Sequence, residues 1–293
     1  MKLKFFLFLL LLGIMQGSAF LFMKIADYSF STASIVFFRL FLAAMVIVPY
    51  VFYSTHSYWT VWKAHKKIFI TLAFTSTVIP FSLIAWALQY IASGIEAVYM
   101  ALIPLFVALF EYFGKEKIRF NRQVYLGFIF GFLGIFLLSF QDILKYGGEN
   151  AKGHLAVFLS AIFYGYSVYR TRQLGSVKPA ITNAYVLSIS AMISLPFMIL
   201  TQDWSTNFNL QAVGAMMGLA LISTAGALLL MYYLISQVGS VFTATTNYLV
   251  PIVGLLLGAL FLNEKITILM LPALFFVLLG VFFISKSTVS FNK

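Results

Sequence analysis

Three histidines, eight acidic residues and no cysteine are the whole inventory from which this 293-residue chain could build reactive chemistry. His56 and His65 share one polar connection and His154 opens a separate apolar stretch, none with a pair of carboxylates beside it. A metal site needs convergent ligands, and acid–base catalysis needs a positioned acid and base; this spacing assembles neither. No glycine-rich lysine loop is present to cradle nucleotide phosphates. Without cysteine there is no thiolate nucleophile, zinc thiolate or disulfide framework. No enzyme activity is expected, and no cofactor or metal.

What the residues can do is bind. Ionisable groups inside apolar runs are functional candidates by default. Arg39 falls one to two turns inside the second such run, where it either orients the helix by snorkelling or pairing with Asp27, or attracts an anionic group of a solute. Glu111 precedes Lys115 by four residues, the spacing of a helical ion pair. Glu96 either carries a coupling proton or is solvated at the membrane interface. Pro104 and Pro251 lie near the middle of their apolar runs, and each lacks the N–H that would bond the carbonyl four residues earlier, at Met100 or Asn247. In hydrocarbon such a carbonyl must find another partner or line a wet cavity, so Pro104 and Pro251 are expected as hinges. Gln16, Arg39, Trp86, Tyr99, Tyr164, Tyr166, Asn247 and Tyr248 make up the expected substrate-binding set, able to hold a flat or amphipathic solute by stacking and neutral hydrogen bonds. Other Trp and Tyr residues suit the headgroup zones.

The elements that must position these groups follow from composition. Hydrophobic residues make up 62% of the chain, aromatics 18% and charged residues only 9%, against roughly 45–50% apolar and about 25% charged in a soluble domain. The solvent is therefore lipid. The net charge of +11 is scattered in short groups between apolar runs, which argues against nucleic acid. Ten stretches suffice to cross a bilayer, at about 5–23, 34–52, 68–89, 96–113, 123–139, 153–169, 181–200, 210–235, 241–262 and 267–285. Lys2 and Lys4 ahead of the first imitate a secretory signal, but its apolar run continues past Gly17-Ser18-Ala19 to Met23, which suits a spanning helix. With ten spans, fourteen Lys and Arg gather at one face against Lys24, Lys145, Lys152 and Lys265 at the other. Positive loops stay inside, so both termini are expected in the cytoplasm, with the chain multi-pass in the cell (inner) membrane.

The two halves echo one another. Gly114-Lys-Glu-Lys-Ile118 returns as Leu262-Asn-Glu-Lys-Ile266, and Gly134-Ile-Phe-Leu-Leu-Ser139 as Gly280-Val-Phe-Phe-Ile-Ser285. One spacing separates Pro49 from Pro196 and Pro104 from Pro251. The expected architecture is all-α, ten transmembrane helices in two five-helix repeats, 1–145 and 146–293. Because five is odd, the second repeat enters the membrane inverted, an arrangement suited to alternating access. Glu116 and Glu264 are expected as pseudo-symmetric interface markers.

Gln16-Gly17-Ser18-Ala19-Phe20, Phe38-Arg39-Leu40, Ala87-Leu88-Gln89-Tyr90, Ile103-Pro104-Leu105 with Glu116, and Val250-Pro251-Ile252 with Glu264 together resemble the drug/metabolite transporter superfamily, in its ten-helix branch of EamA-domain exporters. The resemblance covers essentially the whole chain. It implies two five-helix repeats, no ATP or metal requirement, and a central cavity for amino acids, metabolites or drugs. Two positions depart from that pattern: Glu96 stands where a small residue is expected, and Tyr185 stands in the second repeat for an arginine like Arg39. The expected function is a secondary transporter, an exporter of small neutral or zwitterionic metabolites such as amino acids. The alternatives are an importer or exchanger of anionic metabolites such as sugar phosphates or nucleotide derivatives, and a lipid flippase. Few cations lie within the spans to hold phosphate charge. The partners are the lipid bilayer and a small-molecule substrate, without nucleic acid, and a monomer is compatible with the sequence.

Overall fold

In hydrocarbon every backbone N–H and C=O must be bonded internally, which leaves helices or a closed barrel. Long apolar runs without two-residue alternation select the helix. The structure, a computed structural model, describes residues 3–54, 58–114, 122–146, 148–175, 177–202, 209–238, 243, 245–266 and 268–290, and among these it is all-helical with no strand. Helix α1 spans Leu3–Ala26, α2 Thr32–Ser54 and α3 Tyr58–Leu72, which runs through a π-helical segment, Ala73–Val78, into α4, Ile79–Ala87. Then follow α5 (Ser93–Met100), α6 (Ile103–Phe113), α7 (Arg122–Tyr146), α8 (Gly148–Thr171) and α9 (Pro179–Thr201). Helix α10 (Leu210–Met217) passes through a second π-helical segment, Gly218–Gly226, into α11 (Ala227–Val238). A 3-10 turn, Thr245–Tyr248, leads into α12 (Leu249–Phe261), and α13 (Met270–Ser290) closes the chain.

Among the described residues, seven helical runs are long and apolar enough to cross a membrane: Leu3–Ala26, Thr32–Tyr53, Tyr58–Ala87, Ser93–Phe113, Arg122–Phe140, Pro179–Thr201 and Leu210–Leu234. Thr246–Phe261 and Met270–Phe283 are apolar but shorter. Helix α8 has the length, but its first turns carry Glu149, Asn150, Lys152 and His154, which dilute its apolar stretch. A multi-pass membrane protein follows.

The largest helix contacts join counterparts from the two halves: α7 with α13, and α2 with α9. Likewise α1 rests on α12 as α8 rests on α6, and α5 meets α12. The glycine echo explains the first of these contacts. A Cβ on Gly280 would come within 2.7 Å of the Gly127 carbonyl oxygen, and one on Gly134 within 2.6 Å of that of Ala273. The two helices therefore cross backbone to backbone, as small residues permit in lipid, where close van der Waals packing replaces the hydrophobic drive.

Candidate functional site

A cavity of about 320 Å³ lies where α1, α2, both π-helical segments, the break between α5 and α6 and the 3-10 turn before α12 meet. The interruptions come from the mid-span prolines. Between α5 and α6, Ala101 and Leu102 form a tight turn in which the Leu102 N–H donates to the Tyr99 carbonyl at 2.9 Å and the Leu105 N–H to that of Leu102 at 2.9 Å. Pro104 then falls in the first turn of α6, where a missing N–H is harmless. The second half repeats the device, with the 3-10 turn Thr245–Tyr248 followed by Pro251 near the start of α12. Met100, Ala101 and Ile103 from one break, and Asn247, Val250 and Pro251 from the other, line the cavity.

Arg39 is the one charged side chain among the lining residues. It is only 8% exposed. Its Nε donates to Thr224 Oγ1 at 2.9 Å, its Nη1 lies 3.8 Å from Met23 Sδ, and its guanidinium carbon sits 3.8 Å from the centre of the Phe81 ring. The expected pairing with Asp27 is not among these bonds. Asp27 is influenced by Lys24 and Gln89 instead, and partial burial nevertheless pushes its carboxyl above the usual aspartate value. The rest of the wall is neutral: Gln16, Ser76, Thr77, Tyr164, Asn183, Ser223 and Asn247 supply hydroxyls and amides, among apolar residues such as Phe20, Ile84, Leu187 and Leu228.

Of the eight residues expected to bind substrate, the cavity gathers Gln16, Arg39, Tyr164 and Asn247. The other four point elsewhere. Trp86 meets Tyr90 edge-on at 4.8 Å, and Tyr248 packs against the core around Leu102. Tyr99 joins Ser139 and His154 in a buried polar cluster, its Oη 2.5 Å from Ser139 Oγ and 2.9 Å from His154 Nδ1. Tyr166 meets Phe110 edge-on at 5.3 Å. Helical geometry accounts for the division: residues two apart, such as Tyr164 and Tyr166, cannot share a face.

Sequence reading passed over Ser76, Thr77, Asn183, Ser223 and Thr224. A signal for four of them existed, because Ser76-Thr77 is separated from Ser223-Thr224 by the same spacing as Pro104 from Pro251. These pairs sit on the π-helical segments, which are over-represented at functional positions. There the Thr224 hydroxyl donates to the carbonyl of Leu219, five residues back, at 2.8 Å.

At one end of the bundle, hydrogen bonds tie the two halves together. Two residues beyond α12, Asn263 adopts φ 54°, a left-handed conformation that asparagine tolerates. The turn brings the Glu264 carboxylate onto the start of α5, where it accepts the Ser93 N–H at 2.9 Å, the Ser93 hydroxyl at 3.0 Å and the Gly94 N–H at 3.2 Å. A carboxylate on a helix N-terminus bonds otherwise orphaned donors and meets the positive end of the dipole. Nearby, Lys24 Nζ donates to the Leu88 carbonyl, and the Ser31 N–H donates to Gln202 Oε1 at 3.0 Å. Glu116, the expected counterpart of Glu264, lies outside the described residues, as does Lys115. At the opposite end, Glu111 is ion-paired with Arg172, while Tyr185 stacks on Tyr58 at 4.3 Å and donates its hydroxyl to the Tyr58 carbonyl at 2.7 Å.

Comparison with known proteins agrees with this architecture. The model of the EamA-like transporter family matches residues 3–140 and again 151–286. YoaV of Bacillus subtilis, described as an uncharacterized transporter, is 22% identical over 257 residues, covering 87% of this chain and 86% of its own. An uncharacterized transporter of Archaeoglobus fulgidus is 22% identical over 274 residues, covering 90% and 91%. A solved crystal structure, 13% identical, superposes with a TM-score of 0.66 over 98% of this chain and 99% of that one, a likeness of fold alone. With both halves matched, and the α5–α6 break and the 3-10 turn before α12 meeting at a central cavity, the chain belongs to the EamA-like transporter family, within the drug/metabolite transporters.

Proposed function

We propose that this chain is a ten-span secondary transporter that exports small zwitterionic metabolites, amino acids foremost, by alternating access. Its repeats, 1–145 and 146–293, are inverted, and both termini face the cytoplasm. The single observation that carries the reading is one buried guanidinium in an otherwise neutral cavity between two interrupted helices. Interrupted helices at a repeat interface are where secondary transporters hold their solutes. Arg39 receives the carboxylate; the amides of Gln16, Asn183 and Asn247 and the backbone at the two breaks receive the ammonium; the apolar wall receives the side chain. About 320 Å³ suits a solute of that size. Two phosphate charges would require more cations than this wall carries, which favours amino acids over sugar phosphates.

Counterflow in proteoliposomes tests this. Vesicles preloaded with unlabelled amino acids should draw in labelled ones without ATP, and Arg39→Ala should abolish the exchange. Counterflow by a sugar phosphate and by no amino acid would move the assignment to the anionic class. Movement of lipid alone would make the protein a flippase.

A further inference from the structure

Between the tied end and the cavity lies a buried acid. Glu96 on α5 is fully buried, and neither carboxyl oxygen has a hydrogen-bond partner among the described residues. Ser93, three residues earlier, is held by Glu264; Met100, four residues later, lines the cavity. One helical turn, about 5 Å, thus separates Glu96 from the tied end on one side and the cavity on the other.

The charged groups acting on Glu96 are Lys24 on α1, Asp27 just beyond α1, and Glu264 just beyond α12. Helix α12 itself carries no charge, and α13 none before Lys286. On α8, His154 is engaged with Tyr99. Lys24, the cation acting on Glu96 among the described residues, is bonded to the Leu88 carbonyl.

We propose that Glu96 is the coupling-proton site of this transporter, so that a proton enters as a solute leaves; this rests on the transport reading above. A carboxylate buried without a partner is strongly disfavoured, whereas the neutral acid is tolerated. The tied end therefore closes only over protonated Glu96. In the open arrangement the Glu96 carboxylate takes a proton from outside water, forming its O–H bond, and the end closes as Glu264 caps α5. Once the cavity wets Glu96 from the cytoplasmic side, that O–H bond breaks and the proton passes to cytoplasmic water. The bare carboxylate then destabilises the closed end, which opens outward with solute loaded at Arg39.

The test uses the full chain in proteoliposomes, with a labelled mixture of the protein amino acids as the probe and an entrapped pH dye. Inside-acidic vesicles should accumulate label and lose internal protons. Glu96→Gln, which fixes the neutral form, should lose both accumulation and proton release. Infrared difference spectra of the wild type should show a protonated-carboxyl C=O band that titrates and is absent from Glu96→Gln, a readout independent of transport. Wild-type counterflow without proton movement, gradient-driven accumulation by Glu96→Gln, or absence of that band overturns the proposal and leaves the transport reading standing. Absence of counterflow by the wild type overturns both.

Discussion

Arg39 in the first half is bonded to Thr224 in the second, Nε to Oγ1 at 2.9 Å, and the Thr224 hydroxyl is in turn held by the Leu219 carbonyl at 2.8 Å. The i−5 reach of that second bond belongs to the π-helical register of Gly218–Gly226. The wider turn thus aims a hydroxyl at the cavity's one charge.

Thr224→Val keeps the shape and removes the acceptor. A hydrogen bond to a charged group contributes about 1.5–3 kcal/mol, so the half-saturation concentration for amino-acid counterflow should rise about tenfold or more. Thr224→Ser should stay close to wild type. Unchanged half-saturation in the valine variant would show that Thr224 does not hold Arg39 in its working position.

Gly280→Leu should lower thermal stability in detergent, because its side chain would enter the backbone of α7 at Gly127 and Gly131. Overpacking of this kind costs about 1–3 kcal/mol. Gly214→Ala is the control: nothing lies within 4 Å of its added Cβ, and replacing a helical glycine there should slightly raise the melting midpoint. Equal melting of the two variants would contradict the close crossing of α7 and α13.

How much of this was legible depends on which forces are local. The apolar runs and the interruptions at Pro104 and Pro251 were, because bilayer thickness and a missing N–H act on neighbouring residues. The Gly134 and Gly280 echo was visible as a repeat, though not as a helix crossing. Which of the expected binding residues line the cavity was not legible: aromatic content selects Tyr166 and Tyr99 as readily as Tyr164, and only the helix's rotation in the bundle separates them. Ser76-Thr77 and Ser223-Thr224 were overlooked because hydroxyls in a helix usually bond back to their own carbonyls. Glu264 was read as a marker at the interface; its partners, Ser93 and Gly94, come from the other half of the chain.

Asp27, in the connection between α1 and α2, supplies a pH dependence. Burial raises its carboxyl above the usual value of 3.8 despite the opposing pull of Lys24 and Gln89. A raised carboxyl contributes stability that is complete below its unfolded value and lost as pH rises through its folded value. Melting midpoints of the wild type should therefore fall relative to Asp27→Asn as pH climbs from that unfolded value. Parallel curves for the two proteins would contradict this.

Orientation can be read chemically because the chain has no cysteine of its own. Tyr28 at the tied end and Trp59 at the opposite end are 65% and 68% exposed. With the basic loops inside, Tyr28→Cys should react with an impermeant thiol reagent in intact cells, and Trp59→Cys only after permeabilisation. The reverse pattern would invert the topology.

Pro251 tests whether the interruptions serve transport. It lies one turn after the 3-10 segment Thr245–Tyr248 and lines the cavity with Asn247. Alanine restores an N–H four residues beyond the Asn247 carbonyl, so the 3-10 turn can convert to α-helix and shift Asn247 in the cavity wall. The added intrahelical bond contributes about 0.5–1.5 kcal/mol, so Pro251→Ala should insert normally and melt no lower than wild type. It should nevertheless lose most counterflow, because the position of Asn247 and the bend change together. Asn247→Ala keeps the interruption and removes only the amide, and should weaken apparent affinity while leaving the maximal rate largely intact. Pro104→Ala should repeat the loss of rate from the other half. If both proline variants transport at wild-type rates, the breaks serve packing alone and the solute is held elsewhere in the bundle.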